Sequence, residues 1–285
     1  MTLYLKFIKI YINMLSHIVP KYAGKLSFRL FETTRKYPIK KREQPFYEKA
    51  MHFRVPFEDE NLHCYEMGNP QGKLIFLVHG WDSNAGSLSQ FAFKLADKNY
   101  RVISFDLPAH ANSKIKRTNL FICKNAFKTL VEYINPQEPF SIITHSFGSA
   151  LSSYSLSEMN YKIDKYILLT ANNALEPVFL DFKNAIGFNA IIYKQFSNLV
   201  TKTMGEKLEN MHISKKIPQI DYKKILIIHD KFDKVLRFHN AEEIHKLIPN
   251  TTLSVYEKIG HYRMLWNDDV IQETVNFIDE DTLQF

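Results

Sequence analysis

Nine glycines and two cysteines are spread over 285 residues. So little glycine, in a chain that is 45% hydrophobic and 24% charged, excludes collagen-like, disordered and fibrous classes and leaves room for one good-sized globular core. Cys64 and Cys123 are too few and too isolated for a disulfide framework or a thiolate zinc site, which points to a reducing compartment or to indifference to redox state. There is no glycine-rich phosphate loop of the Walker type, no His-Glu-x-x-His and no calcium loop, so neither a metal nor a cofactor is expected. Acidic residues are scarce only at one end. Residues 1–50 hold eleven Lys/Arg against Glu32, Glu43 and Glu48, a balance of +8 that leaves −1 for all that follows out of a total of +7. A neutral body with one basic arm is poor evidence for nucleic-acid binding, and no nucleic-acid partner is expected.

The first nineteen residues are rich in Leu, Ile, Phe and Tyr, but Lys6, Lys9, Asn13, Ser16 and His17 interrupt them at three- and four-residue spacing. That spacing predicts an amphipathic helix with a narrow polar stripe. A spanning helix would need about 20 apolar residues with few or no charges, and a secretory signal would need an uninterrupted apolar centre and a small-residue cleavage site. Residues 1–49 therefore read as a basic, amphipathic helical extension that either packs on its own protein or makes peripheral contact with an anionic membrane surface. The expected location is cytoplasmic, in solution or at such a surface.

Beyond residue 50 the pattern becomes strand and helix in alternation. Strands are predicted at 51–55, 61–67, 74–78, 101–105, 140–144, 166–170, 225–228 and 252–256, and helices at 87–98, 120–134, 146–159, 241–247 and 266–278. Continuous apolar runs such as Leu74–Val78 are those of strands buried on both faces, so the fold class is α/β with a mostly parallel sheet covered on both sides. Between 170 and 224 about fifty residues intervene with helical patterning and no clear strand, as an insertion over a site would.

Three strand ends carry chemistry. After the strand at Phe140 the chain reads Thr144-His145-Ser146-Phe147-Gly148, with helical sequence following at once, so it turns sharply at Ser146 and exposes that side chain at the carboxyl edge of the sheet. The plainer alternative is that Ser146 only caps the helix. Asp233 lies a few residues past the strand at Ile225, and His261 follows the next strand after Gly260. A serine hydroxyl is too weak an acid to attack unaided. His261 would take its proton, and Asp233 would hold the imidazole and stabilise its charged form. Asp230 and Glu176 are the alternates for the acid. The backbone N–H groups of Phe147 and of Trp81, just past the strand at Leu74, are the candidate oxyanion donors.

These residues resemble the α/β-hydrolase superfamily over about residues 51–278. The resemblance rests on His79-Gly80, on Asp106-Leu-Pro-Ala-His-Ala-Asn-Ser113 and on His229-Asp-Lys-Phe-Asp233-Lys-Val235, together with the elbow at Ser146. Thr144, Ala109, Ala111 and Asp230 stand where the family often has glycine. The resemblance implies an eight-stranded, mostly parallel sheet with its second strand antiparallel, a domain over 50–285 with a helical cap at about 171–222 after strand six, and hydrolysis of an ester or thioester of a small-molecule acyl substrate through an acyl-enzyme. The alternatives are a catalytically impaired binding protein on the same scaffold, prompted by Thr144, and an acyltransferase with the same triad. His110 and Ser113 are expected to fasten the loop after the fourth strand, and His145 to be structural.

Overall fold

A computed structural model describes residues 3–280, with only the backbone described for residues 3–6. The first two residues of the predicted amphipathic helix and residues 281–285 of the body lie outside that range. Three helices come first, α1 (Leu3–Ile18), α2 (Pro20–Phe31) and α3 (Gln44–Lys49). The body then runs β1 (Met51–Phe57), β2 (Glu60–Gly68), β3 (Leu74–Val78), α4 (Ser89–Asp97), β4 (Arg101–Asp106), α5 (Leu120–Ile134), β5 (Phe140–His145), α6 (Phe147–Leu156) and β6 (Lys162–Leu169). Between β6 and β7 (Asp221–Asp230) stand α7 (Glu176–Ile186), α8 (Ala190–Met204) and the short α9 (Ile213–Lys216). The chain closes with α10 (His239–Leu247), β8 (Thr251–Tyr256) and α11 (Asp268–Asp279).

The strands form one sheet in the order β1-β2-β4-β3-β5-β6-β7-β8. Only the pairings of β2, with β1 and with β4, are antiparallel. The rest are parallel, as the resemblance implies. Parallel neighbours need crossover helices, and these cover both faces. That is why β3 and β5 are buried over nearly their whole length and read as unbroken apolar runs. Separate apolar clusters fill the two sides of the sheet. One is built on Phe76, Phe105, Phe127 and Phe140, the other on Ile75, Leu77, Phe91 and Ile143.

β6 and β7 begin four residues earlier than their apolar runs predict, with Lys162 paired to Asp221 and Ile163 to Tyr222. β7 alternates exposed and half-buried residues there, and β6 alternates charged residues with Ile163, so no continuous apolar run marks either start. α2 and α3 fall within the helical extension expected over residues 1–49, but the sequence reading gives them no separate bounds. Short elements with mixed faces owe their helicity to tertiary packing. α2 presses Ala23, Gly24 and Ser27 against α8 so closely that a Cβ on Gly24 would come within 2.4 Å of Gln195 Cβ. α1 sits on the corner between α7 and α8. Asn13 donates to the Gly187 carbonyl at 3.0 Å, Asn189 donates to Ser16 at 2.8 Å, and Ile12 packs with Ile186, Phe188 and Ile192 in a third cluster.

Candidate functional site

Ser146 lies where β5 stops and α6 starts, with φ 54° and ψ −119°. A non-glycine residue in that region carries strain on the order of 1–3 kcal/mol, and such strain persists only where the surroundings over-determine it. They do here. The Ser146 N–H donates to the Leu169 carbonyl at 2.9 Å, and α6 passes so close to β3 that a Cβ on Gly148 would lie 2.3 Å from the Val78 carbonyl oxygen. The Ser146 side chain accepts no helix N–H, which removes the capping alternative. Thr144 does not obstruct the turn. Its hydroxyl is held inside the fold, 2.8 Å from Ser149 Oγ and 2.9 Å from the Ile167 carbonyl oxygen to which it donates.

Asp233 and His261 meet across the loops that follow β7 and β8. His261 Nδ1 lies 2.7 Å from Asp233 Oδ2. A carboxylate can only accept, so Nδ1 is the donor in this bond. Asp233 Oδ1 is occupied separately by the N–H groups of Val235 at 2.7 Å and Leu236 at 3.0 Å. Burial by itself would raise the Asp233 carboxyl. The hydrogen bond and charge of His261 and the two backbone donors outweigh it and hold the group below its usual range.

The alternates for the acid do other things. Asp230 accepts from Phe232 N and Gly260 N, both at 2.6 Å, and so ties the two loops together just ahead of His261. Glu176 opens α7. No hydrogen bond joins Ser146 Oγ to His261 among the described residues. His145 bridges their surroundings, with its ring 4.8 Å from that of His261 and its Nε2 3.1 Å from the His261 carbonyl oxygen.

Trp81 and Phe147 stand side by side, their rings 5.2 Å apart and nearly perpendicular. Neither backbone N–H is engaged by a hydrogen bond among the described residues. Gly80, between Trp81 and the end of β3, is close enough to Ser146 that a Cβ there would lie 3.2 Å from Ser146 Cβ. The loop bearing Trp81 is held through Asp106, which accepts from Ala85 N at 3.0 Å, Tyr47 Oη at 3.1 Å and Tyr65 Oη at 2.8 Å.

The loop after β4 is fastened as expected. Ser113 Oγ accepts from Ala109 N at 3.2 Å, and His110 Nδ1 donates to the Pro108 carbonyl at 2.9 Å. Ala109 and Ala111 both take positive φ, 66° and 36°, at positions where the family often places glycine. Around these loops His79, His110 and His145 are buried and neutral. Burial pushes them down to about 4, about 3 and about 3, and in His110 and His145 a neighbouring histidine adds to it.

One group at the site carried no sequence signal. Phe31, the last residue of α2, sits 6.1 Å from Trp81, 5.2 Å from Phe179 and 5.6 Å from Phe196, ring centre to ring centre. The strap that follows it stays on the site's rim. Thr34 Oγ1 donates to the Ala109 carbonyl, Arg35 N to Asp82 Oδ1 and Lys36 Nζ to the Ser113 carbonyl. Fifty residues separate Phe31 from Trp81 in the chain, and nothing in the periodicity of α2 marks one of its aromatics as part of a site.

The sequence matches a family model described as alpha/beta hydrolase fold over residues 73–207. No curated protein matches it. Among solved structures it is similar to the esterase Pf2001 of Pyrococcus furiosus, at 17% identity and TM-score 0.64, with 87% of this chain and 97% of that one covered. An esterase from Exiguobacterium antarcticum is 18% identical with TM-score 0.63 over 80% of this chain and all of that one. A thioesterase domain from the curacin biosynthetic pathway is 13% identical with TM-score 0.57, covering 80% of this chain and 98% of its own. At these identities the likeness is one of fold.

Proposed function

We propose that this chain, whose residues 73–207 match the alpha/beta hydrolase fold model, is a serine hydrolase that cleaves a carboxylic ester or thioester with an apolar acyl group. The observation that carries the reading is the backbone of Ser146, held in a strained conformation with its hydroxyl committed to no helix N–H. A fold does not hold a serine this way for capping, since capping needs the side-chain contact that is absent.

In the proposed reaction Ser146 Oγ attacks the acyl carbonyl while its proton passes to His261 Nε2. Asp233 stabilises the resulting imidazolium through the 2.7 Å bond at Nδ1. The tetrahedral oxyanion takes the N–H groups of Trp81 and Phe147, donors that need no reorganisation as charge develops. Collapse breaks the bond to the leaving alcohol or thiol, which receives the proton from His261. Water, deprotonated by the same nitrogen, then releases the carboxylic acid and restores Ser146. The preference for an apolar acyl group is supported by the aromatic cluster of Phe31, Trp81, Phe147 and Phe179, whose rings pack on one another beginning at the residue after Ser146.

Labelling with a fluorophosphonate, which reacts only with an activated serine, and hydrolysis of p-nitrophenyl esters test the reading. Wild-type protein is expected to be labelled and active. Ser146→Ala, with an unchanged circular dichroism spectrum, is expected to lose both. Equal turnover by that variant would overturn the assignment, and an unlabelled, inactive wild-type protein would favour a binding role.

A further inference from the structure

α1 is amphipathic twice over. Its inner face is occupied by the cap, through Ile12, Asn13 and Ser16. Its outer face carries Phe7, Ile10, Tyr11, Met14 and Ile18, which are between 51% and 71% exposed and follow one another at three- and four-residue spacing. Val19 and Tyr22 continue the patch into α2. A contiguous apolar strip of this kind is uncommon on a surface that meets only water, and here it cannot fold back, because the opposite side of the helix is already packed.

The charge beside it is of one sign. Residues 1–31 contain five Lys/Arg and no Asp or Glu. The outer face of α2 shows Lys21, Lys25 and Arg29, all exposed, while its buried face presses on the cap helix α8. Both helices lean on the cap, so the apolar strip and the basic strip share its outer side.

We propose that this outer face of α1 and α2 docks on an anionic lipid membrane, with α1 lying in the plane of the interface. The combination of an apolar helical face and flanking cations is what such a surface binds, through burial among acyl chains and attraction to acidic headgroups. Insertion across the bilayer is not open to it, since no helix among the described residues is long and apolar enough. A second copy of the chain fits less well, because an isologous contact would set the acid-free basic strip against itself. Docking in this pose brings the cap side, and with it the aromatic cluster of Phe31, Trp81, Phe147 and Phe179, toward the lipid. Only that last consequence rests on the hydrolase reading.

Co-sedimentation of the full chain with vesicles tests the docking independently of catalysis. Wild-type protein is expected to pellet with mixed phosphatidylcholine and phosphatidylserine vesicles and to be released by salt. The double substitution Ile10→Asp and Met14→Asp is expected to lower the partition coefficient by about tenfold or more, each carboxylate being costly among acyl chains. Lys21→Glu with Lys25→Glu should weaken binding to the anionic vesicles and leave the small binding to pure phosphatidylcholine unchanged. Circular dichroism and thermal melting confirm that the variants fold. The proposal is overturned by wild-type protein that stays in the supernatant with both vesicle types, or by binding that neither double variant changes. It is also overturned if sedimentation velocity shows a dimer that Ile10→Asp with Met14→Asp dissociates while vesicles are ignored, which would give the face to a second copy.

Discussion

Asp233→Asn is the most informative single change, because the surroundings of the carboxylate dictate what an amide must do there. Asp233 Oδ1 accepts two backbone N–H groups, from Val235 at 2.7 Å and Leu236 at 3.0 Å. An asparagine keeps both bonds only with its carbonyl oxygen in that position, which turns its NH2 toward His261 Nδ1. Nδ1 must then accept, and the ring proton moves to Nε2, the nitrogen that receives the proton of Ser146 in the proposed reaction. The variant therefore folds around an unchanged loop and holds the imidazole in the wrong tautomer. A loss of this kind is worth roughly 10³- to 10⁴-fold in turnover, or about 4–5.5 kcal/mol of transition-state stabilisation. The assay is kcat/KM for p-nitrophenyl butyrate between pH 6 and 10, alongside Asp230→Asn. In the latter the carboxylate is bound to Phe232 N and Gly260 N and does not reach His261, so its effect is expected on stability and not on tautomer. A loss below tenfold in Asp233→Asn, or a larger loss in Asp230→Asn at equal foldedness, would refute the reasoning.

Gly148→Ala is expected to destabilise the protein by about 3 kcal/mol, because the new methyl would lie 2.3 Å and 2.8 Å from two backbone carbonyl oxygens that cannot move aside; thermal melting measures it. Phe31→Ala removes a ring from between Trp81 and Phe179 of α7 and is expected to shift an ester panel toward longer acyl chains, while an unchanged preference would place Phe31 outside the acyl site. The buried histidines set the acid limit of stability. Their folded values, about 4 for His79 and about 3 for His110 and His145, lie below the ordinary 6.5, so the unfolded chain takes up protons first as pH falls. Stability is full above about pH 6.5 and is then lost toward pH 4 by up to about 1.4 kcal/mol per unit for each histidine, and urea midpoints at pH 7, 6 and 5 should fall steeply.

The alternation of strands and helices, the order Ser146, Asp233, His261 and the sharp turn at Ser146 were legible in the sequence because burial leaves a pattern. A strand covered on both faces is written as an unbroken apolar run, and the polar residue that ends it stands at the sheet edge. Where burial is partial the pattern fades. The start of β7 and the separate bounds of α2 and α3 went unread for that reason, and the start of β6 because charged residues interrupt its apolar run. The sequence favoured Asp233 over Asp230 by its spacing to Val235, but the partners of the two carboxylates are visible only in the folded loops, where Asp230, the last residue of β7, accepts from Gly260 N and Asp233 pairs with His261. The same holds for Phe31, brought to the rim of the site by the close packing of α2 on α8, and for Thr144, whose hydroxyl finds partners in α6 and β6. It holds also for α1, which composition shows to be amphipathic but not which of its sides is covered. Local sequence thus determined the elements and the kinds of residue at their ends. Contacts between segments far apart in the chain decided which of those residues meet, because no local periodicity records a neighbour fifty residues away.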